Sequence, residues 1–178
     1  MAQRSVTTIP EKIRIRRARA SDLDALVELE NGAFTSDRIS RRQLRHHLGS
    51  DGARILVATH DRDVVGAAVV FLRANTSIAR LYSIAVAARA RGWGVGAQLL
   101  SAAEGSARRL GSRAIRLEVR ADNSAARTLY ERRGYHRFGL TEKYYEDGHD
   151  ALRYEKTLTH ATSRRPELPR RRRTRHAR

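Results

Sequence analysis

The sequence predicts an α/β domain with a mixed central sheet of about seven strands and about four helices. Two observations carry this. Ala97, Leu100, Ala103, Ala107 and Leu110 recur at helical spacing, while Ile115, Leu117 and Val119 alternate with Arg116, Glu118 and Arg120 at strand spacing. The order of segments is the second observation: strands joined by short polar turns come first, and a strand-helix-strand crossover follows.

The elements follow in chain order. Residues 12–17 (KIRIRR) alternate apolar and basic side chains and read as a first strand. Ser21 is expected to open a helix with Asp22 and Asp24 in its first turn, where the helix dipole favours carboxylates, and Leu23, Leu26, Val27 and Glu30 on one face. Ser40 repeats the capping signal for a shorter helix ending at Gly49. Ile55 to Thr59 and Val64 to Leu72, separated by His60-Asp61-Arg62-Asp63, form a hairpin. A strand over Ile78 to Val86 leads into the crossover helix, which Gly111 stops before the strand around Ile115 to Val119. Asn123 caps a helix with Ala126, Leu129 and Tyr130 inward, closed by Gly134. Two last strands fit Tyr135 to Leu140 and Ala151 to Leu158.

Composition narrows the function classes. The 178 residues contain no cysteine, so disulfides and thiolate metal ligands are excluded. The longest apolar run, Val64 to Leu72, is far short of the ~20 residues a membrane helix needs. The N-terminus shows no apolar signal core behind Arg4, and a cytoplasmic protein without membrane attachment is expected. The seven histidines have no metal-ligand spacing, so no metal is expected.

The net charge is +17, of which eight arginines and one glutamate from Ala161 onward supply +7. With two prolines and almost no apolar residues, the segment 161–178 cannot offset its ordering entropy and is expected to be disordered. It reads either as a weak docking arm for nucleic acid or ribosome, through counterion release, or as a solubilising tail. Residues 1–11 are expected to be flexible, leaving 12–160 as the domain.

The segment Arg91-Gly92-Trp93-Gly94-Val95-Gly96 lies between strand and helix. Glycine there allows positive φ and close approach of a ligand to backbone, and the first N–H groups of the helix have no intrahelical partner. Together they make an anion cradle, although a tight strand-to-helix turn would also use glycine. The Lys-Ser/Thr of a P-loop is absent, as is the acidic residue of a dinucleotide fingerprint.

The spacing Arg91-x-x-Gly94-x-Gly96 resembles the pyrophosphate-binding signature of the GNAT superfamily of N-acetyltransferases. Leu81-Tyr82-Ser83-Ile84-Ala85-Val86, Leu117-Glu118-Val119-Arg120-Ala121-Asp122-Asn123 and Leu129-Tyr130-Glu131-Arg132-Arg133-Gly134-Tyr135 follow the family's order and spacing. The sequence is most similar to the ribosomal-protein alanine N-acetyltransferases, and Tyr144-Tyr145-Glu146-Asp147-Gly148 also resembles the catalytic subunits of N-terminal acetyltransferases. The resemblance implies a GNAT fold over residues 12–158 and acetyl-CoA as co-substrate. It implies that Ile84, Ala85 and Val86 bind pantetheine and the acetyl carbonyl through backbone groups, and that Arg91, Gly92, Trp93, Gly94, Val95 and Gly96 hold the pyrophosphate. Asn123 would contact the cofactor arm, Glu118 would be the general base and Tyr130 the acid that protonates the departing thiolate.

Each residue type also has a plain structural reading. A glutamate between Arg116 and Arg120 suits a salt bridge, and a tyrosine beside Leu129 suits the core. Tyr144 and Tyr145 would line a peptide groove or stand in a strand with one face buried; Phe34 would touch a substrate side chain or pack in the core. An α-amine titrates near ~7.7–8.0 and lysine near ~10.4, so about a tenth of the former is neutral at pH 7 against about 1 in 2,500 of the latter. An N-terminal acceptor therefore asks less of its base. The expected function is transfer of acetyl from acetyl-CoA to the α-amino group of a peptide or protein, a ribosomal protein included, by direct attack in a ternary complex. The alternatives are acetylation of a small amine or a lysine side chain, and a non-catalytic basic RNA- or ribosome-binding module on the same fold.

Overall fold

A computed structural model describes residues 12–158. The expected flexible N-terminus and basic tail lie outside the described residues. Strand β1 (Ile13–Arg17) leads to helix α1 (Leu23–Ala33) and helix α2 (Arg41–Leu48). Strands β2 (Ala53–His60), β3 (Asp63–Phe71) and β4 (Ile78–Val86) form a meander. Helix α3 (Val95–Arg109) crosses to β5 (Ala114–Arg120), and α4 (Ser124–Arg132) precedes β6 (His136–Thr141) and β7 (Ala151–Thr157). The sheet order is β1-β2-β3-β4-β5-β7-β6, with β4 and β5 parallel and every other neighbouring pair antiparallel. The seven strands and four helices agree with the sequence reading.

Alternation along the strands divides the interior in two. On one face, Leu26 of α1 and Leu44 of α2 pack with Val57, Val69 and Ala85. On the other, Leu99 and Leu100 of α3 and Tyr130 of α4 pack with Leu117, Val119 and Tyr154. Gly66 lets α3 come this close to β3, since a Cβ there would lie 2.8 Å from Val95 Cγ1 and 3.1 Å from the Ala85 carbonyl oxygen.

The expected start of α1 is corrected. Residues Ala20–Asp22 form a 3-10 turn, and Asp22, not Ser21, organises it. The Asp22 carboxylate is buried, accepts the Arg19 N–H at 2.7 Å and pairs with both terminal nitrogens of Arg16 at 2.7 and 2.8 Å. The Arg16 hydrogen bond holds the Asp22 pKa below the usual carboxylate value. A charge partner on β1 thus fixes this terminus more strongly than a dipole effect would. Ser40 behaves as expected: its Oγ accepts the Gln43 N–H, and Gln43 reaches back to the Ser40 N–H at 2.8 Å.

Two irregularities open the sheet. Val69 pairs with Ser83 and Val70 with Leu81, so Tyr82 is an extra residue of β4 in a bulge. The β4–β5 ladder runs only from Ile78/Ala114 to Leu81/Leu117. Beyond it, Ser83 to Val86 have no β5 partner, and a wedge opens at the carboxyl ends of two parallel strands. Such a gap is where ligands bind in open α/β sheets.

Candidate active site

The wedge is bordered by the glycine loop. Gly92 has φ +83° and Gly94 has φ +74°, the left-handed region that side chains rarely adopt. Gly94 is also the N-cap of α3, so the loop's curvature delivers the free N–H groups of the helix start to the wedge. The Arg91 and Gly92 side of the loop is exposed. A Cβ on Gly96 would stand 3.6 Å from Leu129 of α4 and 3.9 Å from Val86 of β4, inside the gap between those elements. These features suit a diphosphate seated on backbone.

Not every residue of the loop faces outward. Val95, the first residue of α3, is buried, and Trp93 packs partly into the core with its ring 5.3 Å from His60. Ala85 is buried on the α1 side, whereas Ile84 and Val86 are half-buried. The β5-facing backbone of this stretch has no strand partner and is open to a ligand. Asn123 spends its side-chain oxygen as the cap of α4, accepting the Ala126 N–H at 3.0 Å, and keeps its amide nitrogen for other partners. Beside the loop, a depression of about 470 Å³ runs between Ala25, Glu28 and Gly32 of α1 and the stretch Val86 to Arg89.

Glu118 is the first β5 residue past the end of the β4–β5 ladder. Its flanking residues Leu117 and Val119 enter the α3 side of the core, so its own side chain emerges on the opposite face. There its Oε2 accepts the Arg80 Nε–H at 2.9 Å. Tyr130 lies on the other side, against Tyr135 and Tyr154 at ring distances of 5.7 and 6.4 Å. Burial pushes the Tyr130 phenol up to about 12, so it stays protonated at neutral pH and keeps an O–H to donate.

Tyr144 and Tyr145 sit in the loop between β6 and β7, not in a strand, and meet edge to face at 5.0 Å. The Tyr144 hydroxyl joins the same Arg80 at 2.5 Å. Phe34 is the extended C-cap of α1, half-buried and packed against the core on the α1 side. The structure thus brings Glu118 and Tyr144 together and sets Tyr130 across the sheet from them.

Three participants escaped the sequence reading. Arg80 links Glu118 to Tyr144, Tyr82 forms the bulge beneath it, and Arg120 holds the β6–β7 loop through Asp147. The one signal for Arg80 was that it is the only charge in strand Ile78–Val86. Among the described residues, no group of three or more histidines and carboxylates could hold a metal, and no helix is long and apolar enough to cross a membrane.

Comparison with known proteins agrees with the geometry. The model of the acetyltransferase (GNAT) domain family matches residues 22–158. The chain is 30% identical over 142 residues to a Bacillus subtilis protein provisionally named [ribosomal protein bS18]-alanine N-acetyltransferase, covering 79% of this chain and 93% of that one. It is 29% identical over 154 residues to the N-alpha-acetyltransferase of Sulfurisphaera tokodaii, covering 79% and 90%. The fold matches the crystal structure of the ribosomal-protein-S18-alanine N-acetyltransferase from Escherichia coli with a TM-score of 0.75, at 24% identity and over 86% and 98% of the two chains. An open wedge beside a glycine-built anion cradle, together with a family match over most of its length, makes this chain an N-acetyltransferase of the GNAT family, which uses acetyl-CoA.

Proposed function

We propose that the chain acetylates the α-amino group of a peptide or protein N-terminus by direct attack in a ternary complex. The observation that carries the direct-attack part of this reading is that Glu118, just past the end of the β4–β5 ladder, and Tyr130, in the core on the α3 side, lie on opposite faces of the sheet. An acceptor can approach from one face while the cofactor occupies the other. The names of the relatives, which include N-terminal and ribosomal-protein alanine acetyltransferases, support an α-amine acceptor.

When bound, acetyl-CoA supplies an activated acetyl thioester. Arg91, Gly92, Trp93, Gly94, Val95 and Gly96 hold its pyrophosphate through backbone N–H groups and the exposed guanidinium. The β5-facing backbone of Ile84, Ala85 and Val86 orients the pantetheine and acetyl carbonyl, and the Asn123 amide steadies the cofactor arm. Glu118 takes the proton of the acceptor amine, directly or through one water. Tyr130 gives its phenolic proton to the departing sulfur. Tyr144, Tyr145 and Phe34 border the path of the acceptor. We place the enzyme in the cytoplasm, where a supply of acetyl-CoA and new N-termini coincide, with the Arg-rich tail as a weak contact to ribosome or nucleic acid.

The test is mass spectrometry of a mixed peptide library after incubation with labelled acetyl-CoA. Label on α-amines with a preference for particular first residues is the expected result. Label only on lysine side chains or on an added small amine such as spermidine would overturn the α-amine reading. Removal of residues 163–178 should leave that label unchanged while reducing salt-sensitive RNA binding.

A further inference from the structure

Arg80 stands one residue before the β4–β5 ladder ends, opposite Arg116 of β5. Its guanidinium joins three elements. Nε donates to Glu118 on β5 at 2.9 Å, a terminal nitrogen donates to the Tyr144 hydroxyl on the β6–β7 loop at 2.5 Å, and the group lies 5.4 Å from the centre of the Tyr82 ring at the β4 bulge. Its partners lie 38 and 64 residues away in sequence. Only a third of its side chain is exposed, so the fork is held rather than waving in solvent.

An arginine cannot serve as a base, because its guanidinium keeps its proton throughout the accessible pH range. What it offers is a planar fork with several donors in fixed relation. We propose that Arg80 is a positioning residue for acetyl transfer, locking the Glu118 carboxylate and the Tyr144 hydroxyl into one arrangement across the acceptor entrance. This rests on the reading in which Glu118 serves the transfer.

Two consequences follow from the chemistry. The fork fixes where the carboxylate oxygen points, and a misplaced base costs about 10- to 100-fold in rate. The guanidinium also gives Glu118 a resident cation. Without it, the bare carboxylate would hold an arriving amine in its ammonium form, bound well but unable to attack. Loss of Arg80 should therefore lower kcat, leave KM equal or lower, and move the acidic limb of the kcat–pH profile to higher pH. A purely structural role would not move that limb.

The experiment compares the full chain with Arg80→Gln and Arg80→Lys. Calorimetric CoA affinity equal to wild type serves as the folding control. Rates are measured with labelled acetyl-CoA and the amine class that takes label: library peptides, a lysine-bearing peptide with a blocked N-terminus, or spermidine. Hydrogen exchange over residues 142–150 reports the tether to Tyr144 without any acceptor. For Arg80→Gln we expect kcat about 10- to 100-fold lower, a raised acidic limb and faster loop exchange. Arg80→Lys keeps the charge but has no fork, so the limb should return to its wild-type position while kcat recovers only in part. Wild-type kcat and limb in Arg80→Gln, or unchanged loop exchange, would overturn the proposal for Arg80 alone. Label on no amine of any class would overturn it together with the reading on which it rests.

Discussion

Glu118 and Tyr130 stand on opposite faces of one strand layer. Glu118 is tied to Arg80 on the face away from α3, and Tyr130 packs with Leu117 and Val119, the neighbours of Glu118, on the other. Transfer from a thioester needs a proton removed from the nucleophile and another delivered to the leaving sulfur. Placing the two groups on opposite faces would let one serve the amine and the other the sulfur. Glu118→Gln keeps the shape and a hydrogen-bond acceptor for Arg80 but cannot take a proton. It should lower kcat by about 100-fold or more with CoA affinity unchanged, measured by steady-state rates and calorimetry.

Tyr130→Phe tests the other face. Burial raises the Tyr130 pKa from the ordinary 10 to about 12, so the folded state holds this proton more tightly than the unfolded chain. The associated stability is complete below pH 10 and is lost as the pH rises toward 12. At pH 11 the loss is on the order of 1 kcal/mol from this group. Urea unfolding at pH 8 and pH 11 should show a drop in stability that is smaller by about that amount in Tyr130→Phe. Turnover at pH 8 should fall in the same variant by about 10-fold or more, as the proposed role of Tyr130 as donor to the departing sulfur requires.

Most of the framework was legible because the chain is locally consistent. Strand Ile78–Val86 has the limits its sequence marks, Ser40 and Asn123 cap the helices their side chains predict, and the glycines at 92 and 94 take the positive φ that justifies them. Period and caps tell which face a residue occupies but not which residue it meets there. Arg80 and Tyr144 are 64 positions apart, and no local rule joins them. The bulge at Tyr82 likewise leaves no local sign, since it is one extra β4 residue set against the Val69–Val70 step of β3. Ser21 was misread as the helix opener for the same reason: a rule about helix ends stood in for the ion pair of Asp22 with Arg16 that only the packed β1 supplies.

Two glycines shape the start of α3 for different reasons, one for its backbone angle and one for close packing. Nothing lies within 4 Å of a Cβ at Gly94, but its φ of +74° is costly for any other residue. Gly94→Ala should destabilise by about 1 kcal/mol and, by turning the loop's N–H groups aside, weaken CoA binding by more than tenfold in calorimetry. Gly66 lies under the start of α3, and its Cβ would strike Val95 at 2.8 Å and the Ala85 carbonyl at 3.1 Å. Gly66→Ala should cost about 1–3 kcal/mol in urea unfolding, since α3 must lift from the sheet.

The β6–β7 loop is held to the end of β5 by charge. Arg120 donates to Asp147 at 2.5 Å and to Asp122 at 3.2 Å, its guanidinium lies 5.4 Å from the Tyr145 ring, and His149 stands 3.1 Å from Asp147 and 3.5 Å from Asp122. Arg120 is the largest cause of the depressed Asp147 pKa, which is held at about 2. A depressed carboxylate pKa stabilises the folded arrangement above the unfolded value near 4 and loses that contribution as the pH falls toward 2. Carboxyl NMR of the wild type should therefore give an Asp147 midpoint near 2, and Arg120→Ala should return it to the ordinary range near 4. Because the same loop carries Tyr144 and Tyr145, Arg120→Ala should raise the acceptor KM while leaving CoA affinity unchanged. A midpoint that stays near 2 in Arg120→Ala would assign the clamp to His149 and the backbone instead.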